Sequence, residues 1–195
     1  MGRKRSIDQG QVLDAAERVV ARDGAARLTL DAVAAEAGIS KASVLYDYKS
    51  KQALIAALVE RSVAADNGFN QSMTASLGAT PSATVRGRIL AAAEPLPAEF
   101  RDVALNLCAA LAQDADLRQT IQRNQRAVIA DIMASSASPR GALLAYLALE
   151  GLKLLESLDY HSWPKPERDR ILREIHWLVD QQPDGAGPLP ASPPD

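Results

Sequence analysis

The sequence has little of what disulfide-bonded, metal-binding and membrane proteins need. Its 195 residues include a single cysteine, Cys108, which excludes an internal disulfide. Its two histidines, His161 and His176, are far apart, and no Cys/His cluster has zinc-site spacing. No apolar run approaches the roughly 18–20 residues of a membrane helix, and the polar N-terminus lacks the apolar stretch of a secretion signal. We therefore expect a cytoplasmic protein without a metal, a cofactor or a membrane partner.

Aromatic and β-branched residues are also scarce. Aromatics make up 4% of the chain, and 36 alanines and 24 leucines stand against 11 valines and 9 isoleucines. Alanine and leucine favour helices, whereas β-branched residues favour strands. With 47% hydrophobic residues the chain can bury a core. The composition predicts an all-α protein of one domain or two small ones.

Positive charge is in slight deficit overall but is concentrated near the N-terminus. The chain carries a net charge of −2, whereas residues 1–61 hold ten Lys/Arg against eight Asp/Glu. Arg3, Lys4 and Arg5 form a basic arm ahead of the first helix. This balance confines any nucleic-acid site to the N-terminal third, although a solvated basic tail is the simpler interpretation.

Capping signals divide the first sixty residues into short helices. A capping box at Ser6–Gln9 opens the first helix, which ends at Asp23-Gly24. Thr29 caps a second helix that stops at Gly38, and Ser40 and Ser50 cap a third and a fourth. The third runs from Lys41 to about Asp47, and the fourth to about Ser76.

The second and third of these helices form a helix-turn-helix. Gly38 permits the positive φ of a tight turn, and Ile39 can fill the space between the helices. Ser40, Lys41 and Ser43 offer short polar or cationic groups, so the third helix could enter a major groove about 12 Å wide. This pattern predicts a DNA-binding unit within residues 1–50.

The segment from Leu28 to Leu54 resembles the DNA-binding domain of TetR/AcrR-family repressors. The residues that carry the resemblance are Ala37-Gly38-Ile39-Ser40-Lys41 and Ser50-Lys51, in the family's register. The resemblance implies an all-α fold, with an N-terminal three-helix head and a C-terminal helical bundle for ligand binding and dimerisation. Leu45 and Asp47 depart from the family's usual Tyr and His. Asp47 would repel phosphate, so we expect it to face away from DNA or to pair with Lys51.

The resemblance also implies roles for individual residues of the head. Thr29 would cap a helix and touch phosphate, and Tyr46, Tyr48 and Lys51 would hold the DNA backbone. Tyr48 could instead be a core residue. The recognition face would consist of Ser40, Lys41, Ala42, Ser43 and Val44, and the arm of Arg3, Lys4 and Arg5 would reach along the adjacent groove.

The remaining chain is predicted to be a helical body over residues 51–182 with a disordered tail over 183–195. Further helices are expected at 83–94, 99–113, 115–136, 139–158 and 167–182. The tail has five prolines in thirteen residues and too little apolar surface to fold.

The helix at 141–158 is apolar nearly all round and needs burial on more than one face. Together with the last helix it suggests a homodimer built from two helices of each subunit. A central core helix in a monomer is the alternative. The predicted interface residues are Leu147, Leu152, Leu155, Ile171, Ile175 and Leu178.

A ligand pocket in the body is expected from the resemblance alone. Candidate lining residues are Phe100, Asn106, Cys108, Met133 and Tyr146. Asn106 lies within an apolar stripe, so it needs either a protein partner or a ligand.

The most specific prediction is a homodimeric repressor that a small-molecule effector releases from a palindromic operator. The alternative is a small helical enzyme or a protein-binding adaptor, although no catalytic motif supports an enzyme.

Overall fold

The computed structural model describes residues 9–94, 106, 111 and 114–183, and all regular structure in these ranges is helical. The basic arm, the capping box before Gln9, Phe100, Cys108 and the tail beyond Pro183 lie outside the described residues. Eight α-helices fall within these ranges: α1 Gln9–Asp23, α2 Leu30–Ala37, α3 Lys41–Asp47, α4 Lys51–Ser76, α5 Ala83–Ala93, α6 Ala115–Ser135, α7 Pro139–Ser157 and α8 Lys165–Leu178.

The N-terminal helices share one apolar core. Val12, Val19 and Val20 of α1 pack with Val33 of α2 and Val44 of α3, and all five are fully buried. Leu54, Ile55, Leu58 and Val59 of α4 complete this core. We call α1–α3 with the first half of α4 the head; its packing therefore extends past residue 50 into α4.

The body is built on the second half of α4. α5 lies so close to α4 that a Cβ at Gly87 would be 2.2 Å from the Thr74 hydroxyl oxygen, so only glycine fits there. α5, α6, α7 and α8 surround a second core that includes Val85, Ile132, Tyr146 and Leu149. The helices predicted at 83–94, 115–136 and 139–158 are confirmed to within one residue, whereas the helix predicted at 99–113 lies outside the described residues except for 106 and 111.

The last helix differs from its predicted span of 167–182. It begins at Lys165, because Pro166 is tolerated in a first helical turn, and it ends at Leu178. Beyond Leu178 the backbone makes turn-type bonds, such as Gln181 N–H to the Leu178 carbonyl at 3.1 Å. The turn is useful to the fold because the Gln181 carbonyl accepts a hydrogen bond from Ser138.

Head and body are joined by more than α4. Leu117 of α6 is buried in the head core, and Leu111 and Ile121 pack against that core. Asn106 donates from Nδ2 to the Val20 carbonyl at 3.2 Å. A segment of the body thus packs against the head core and against α1.

Candidate nucleic-acid interface

The turn between α2 and α3 is fixed by local hydrogen bonds. Thr29 caps α2 by accepting from Ala32 N–H at 3.0 Å, and Ser40 caps α3 by accepting from Ser43 N–H at 3.1 Å. Gly38 adopts φ 66°, and the bonds Gly38 N–H to Ala35 O and Ile39 N–H to Ala34 O form a Schellman motif. The predicted helix-turn-helix and its caps are confirmed.

The outer face of α3 presents small and cationic side chains. Lys41 and Ala42 are exposed, Ser43 is half-buried, and the Tyr46 side chain is 80% exposed. The hydroxyls of Ser40 and Ser43 lie 2.8 Å apart. This face is narrow enough to approach base edges in a major groove.

Val44 does not belong to that face, contrary to the sequence prediction. Its side chain is fully buried in the head core. A two-turn helix cannot hold itself in place, because its intrahelical bonds are too few, so it needs an apolar anchor. Val44 supplies that anchor.

The two tyrosines at the end of α3 have different environments. The Lys49 ammonium lies 5.6 Å from the centre of the Tyr46 ring and donates to the Tyr46 carbonyl at 2.9 Å. Tyr48 packs against the head core, and burial, helped by the negative charge of Asp47, raises its pKa. Tyr46 is thus the accessible aromatic, whereas Tyr48 has the core position that sequence analysis left open.

The N-termini of α2 and α4 are brought close to each other. Ser50 caps α4 by accepting from Ala53 N–H at 3.1 Å. Lys51 extends from α4 to donate to the Ala26 carbonyl in a short 3₁₀ turn, Ala25–Arg27, which leads into α2. Free N–H groups at helix starts favour anions, so both termini can face phosphates.

Two cations near these helix starts, Arg27 and Lys49, were not predicted from the sequence. Arg27, in the 3₁₀ turn, is exposed two residues before the cap of α2, and Lys49 is exposed one residue before the cap of α4. The one feature of the sequence that could have identified them is that each lies one or two residues before a capping residue. Each stands beside a helix start where phosphate is expected.

Acidic groups border the recognition face at both ends. Lys41 Nζ is 2.8 Å from Asp31 Oδ2, and both side chains are more than half exposed. Asp47 accepts from Gln9 Nε2 at 3.2 Å, whereas Lys51 donates to the Ala26 carbonyl. Of the two alternatives for Asp47, the pairing with Lys51 is therefore not formed.

Other cations of the head serve its architecture. Arg18 and Arg22 bind Glu36 at 2.8 and 2.9 Å and tie α1 to α2. These hydrogen bonds lower the pKa of Glu36. Arg61 joins α4 to Asp14 of α1, and the hydrogen bond to Asp14 raises the pKa of Arg61. These pairs lock the helices that position α2 and α3.

Three of the predicted pocket residues, Asn106, Met133 and Tyr146, lie within the described residues, and none of them lines the open cleft between α4 and the start of α6. Asn106 satisfies its amide on Val20 and lies over Gly24, where a Cβ would be 3.2 Å from its Oδ1. Tyr146 is buried and donates to Gln125; burial raises its pKa to about 12. Met133 is half-buried. The open cleft has a volume of about 370 Å³.

The predicted dimer interface is only partly available. Leu147 is 55% exposed and Leu155 is also exposed, whereas Ile171 and Leu178 are half-buried against the body core. Leu152 and Ile175 are buried inside one subunit and cannot be interface residues, which corrects the sequence prediction. The exposed apolar residues here are Leu144, Leu147, Leu154 and Leu155 of α7, with Trp177 of α8.

Two further properties of the described residues bear on function. No group of His, Cys, Asp or Glu in these ranges could hold a metal ion. No helix in the same ranges is long and apolar enough to cross a membrane.

Comparison with known proteins places both halves of the chain. A family model described as "Bacterial regulatory proteins, tetR family" matches residues 12–58. A second, "Tetracyclin repressor-like, C-terminal domain", matches residues 78–180. No curated protein matches the sequence.

Solved structures share the fold over nearly the whole chain. SCO1917, a TetR-family member from Streptomyces coelicolor A3, superposes with a TM-score of 0.68 at 19% identity, covering 89% of this chain and 98% of that one. SCO7518, a candidate transcriptional regulator of the same species, gives 0.71 at 15% identity over 89% and 98%. The multidrug binding protein EbrR, complexed with malachite green, gives 0.70 at 20% identity over 92% and 100%. The chain therefore belongs to the TetR family of transcription regulators, with a helix-turn-helix DNA-binding domain and a helical C-terminal domain.

Proposed function

We propose that this regulator is a homodimeric repressor that binds a palindromic operator in the cytoplasm, has no catalytic activity, and is released by a small-molecule effector. The observation that carries the DNA-binding part is the α3 face, with Lys41, Ser43 and Tyr46 directed outward. The N-termini of α2 and α4 flank it. Arg27 and Lys49 add positive charge beside the starts of these helices, and the arm at Arg3–Arg5 precedes α1 in the sequence with three further cations.

We assign the contacts to two classes. Thr29, Tyr46, Lys51, Arg27 and Lys49 bind phosphates, which orient the protein without reading sequence. Ser40, Lys41, Ala42 and Ser43 approach the bases. Because most of these side chains are small, methyl contacts and DNA shape supply much of the specificity.

The homodimer rests on the exposed apolar residues of α7 and α8, here called the leucine face: Leu144, Leu147, Leu154, Leu155 and Trp177. A contiguous apolar surface of this kind marks an interaction site in most proteins. A second copy of the chain covers it with the same residues, because a twofold interface is self-complementary. Two recognition helices then face successive major grooves.

Operator binding can be tested with the DNA upstream of the protein's own coding sequence. Fluorescence anisotropy should show a specific complex that an unrelated duplex of equal length does not form. Arg27→Ala should weaken this complex and reduce the slope of log K against log salt by about one unit, the loss of one phosphate contact.

Arg18→Ala is the matched control, since Arg18 is an exposed cation that binds Glu36 away from α3. It should leave the salt slope unchanged. Equal affinity for operator and unrelated DNA, or equal slopes for wild type and Arg27→Ala, would contradict the assigned interface.

A further inference from the structure

A polar cluster lies within the body, between the second half of α4 and the helices that cover it. We call it the Arg88 cluster; its members are Asp66, Asn67, Asn70, Arg88, Asn124, Gln125 and Tyr146. Arg88 is only 8% exposed, and its neighbours Val85 and Ile89 on α5 are buried in the body core. A cation in such apolar surroundings requires compensation, because burial of an unpaired charge is costly.

The guanidinium of Arg88 is poorly compensated. Its Nη2 lies 3.4 Å from Asn67 Oδ1, and its Nη1 lies 3.9 Å from Asp66 Oδ2. The guanidinium carbon is 5.9 Å from the centre of the Tyr146 ring. Charge-assisted hydrogen bonds to carboxylates are normally about 2.7–2.9 Å long, and a guanidinium has five N–H donors. Within the described part of the chain, the guanidinium makes one long hydrogen bond, to Asn67, and its other nitrogens are not fully enclosed, because Ser136 Oγ is the one buried side-chain nitrogen or oxygen there without a partner.

Other arginines of the body are paired much better. Arg86, two residues away on α5, binds Asp180 at 2.7 and 2.8 Å. Arg168 of α8 binds Glu156 at 2.7 Å and the Ala92 carbonyl at 2.8 Å. The loose coordination of Arg88 is therefore a property of its site and not of the fold in general.

The remaining polar groups of the cluster already bind one another. Asn67 donates to Asn124 at 2.7 Å, and Tyr146 donates to Gln125. Asn70 donates to Asp66 Oδ2 at 3.0 Å. Glu150, the next carboxylate nearby, accepts from Lys153 at 3.3 Å. Asp66, which is half exposed, is thus the counter-charge that an incoming anion must compete with.

We propose that Arg88 anchors an anionic effector, an organic carboxylate with an apolar body, within the helical domain. A carboxylate matches the planar fork of a guanidinium through two parallel N–H···O bonds. The apolar core around α5 favours an organic acid over a hydrated inorganic ion. This inference rests on the proposed function, of which it specifies the chemical class of effector.

The test is thermal unfolding of the full chain with matched acids and amides. Sodium octanoate and sodium phenylacetate are compared with octanamide and phenylacetamide at ionic strength held constant by NaCl. A carboxylate should raise the melting temperature in a saturable way, and its amide should not. Arg88→Met should weaken carboxylate binding at least tenfold while leaving the free protein as stable as wild type or more stable, since a loosely paired buried charge is removed.

Arg86→Met is the matched control. It breaks the pair with Asp180, so it should lower the melting temperature but keep the carboxylate response. The proposal is overturned if neither acid stabilises wild type more than its amide does, or if Arg88→Met destabilises the free protein as much as Arg86→Met and keeps the response. If Arg88→Met does not fold, carboxylate binding is measured with Asp66→Asn instead. Tighter carboxylate binding by several-fold supports the site, and unchanged or weaker binding overturns it.

The thermal unfolding measurement contains no DNA, so its outcome is independent of the operator-binding test of the proposed function. A carboxylate response in a protein that binds no operator would overturn the repressor but leave the site. An operator complex that is unaffected by any carboxylate would overturn the site as an effector site and leave DNA binding intact.

Discussion

At the scale of single residues, we expect the Lys41–Asp31 pair to influence how strongly the proposed recognition face attracts DNA. Asp31 lies in the first turn of α2, where a carboxylate stabilises the helix start and also occupies the place that a phosphate would favour. Its carboxylate thus acts on Lys41 and on the end of α2 together. We therefore expect Asp31 to weaken DNA binding.

We expect Asp31→Asn to tighten binding to unrelated DNA by about threefold, the size of an exposed ion pair of below 1 kcal/mol. Anisotropy titrations at two salt concentrations measure this effect. In a Lys41→Ala background the substitution should tighten binding less, because the partner is gone. An equal effect in both backgrounds would show that Asp31 does not act through Lys41.

The residue scale also shows what sequence reasoning can reach. Thr29, Gly38, Ser40 and Ser50 are predictable because a cap depends on atoms three or four residues away. The Lys41–Asp31 pair depends on how α2 crosses α3, which no local pattern encodes.

At the scale of elements, α7 separates two apolar surfaces that sequence periodicity could not tell apart. Leu149 and Leu152 face the body core, whereas Leu144, Leu147, Leu154 and Leu155 face outward. Periodicity shows that a helix has apolar sides all round, but not which side meets its own subunit. Leu152 and Ile175 were misassigned for that reason.

We expect Leu147→Glu to disrupt the dimer and leave each subunit folded, because the new carboxylate is solvated in the monomer and buried only in the interface. Leu152→Glu should instead unfold the protein, since a carboxylate in the body core lacks a partner. Sedimentation velocity and far-UV circular dichroism distinguish the two. A helical, dimeric Leu147→Glu protein would exclude the leucine face as the interface.

At the scale of the whole molecule, a polar contact joins α5 to α8 and to the turn that follows it. His176 lies 2.6 Å from Arg86 through Nε2, and Arg86 also binds Asp180. Partial desolvation of the ring and the adjacent guanidinium lower the pKa of His176, with an opposing effect of Asp180. In the folded protein the ring therefore resists protonation that the unfolded chain accepts.

We accordingly expect stability to fall as the pH drops through about 6.5, the ordinary pKa of histidine, because the unfolded state then binds more protons. Above that pH the contribution of His176 is fully present. Chemical denaturation at pH 7.5 and 5.5 measures the difference, and His176→Gln should reduce it. An equal pH dependence in His176→Gln would assign the effect to other groups.

The burial of Leu117 in the head core has a consequence for engineering chimeric regulators. A cut after residue 50 or 60 removes the side chain that closes this core, together with the Asn106 contact to Val20. A head fused to the C-terminal domain of another regulator would keep the α3 face but lose the Leu117 side chain that completes its core. A chimera intended to exchange DNA specificity should therefore include residues 106–121 together with the donor head. Alternatively, only the exposed side chains of α3 should be replaced.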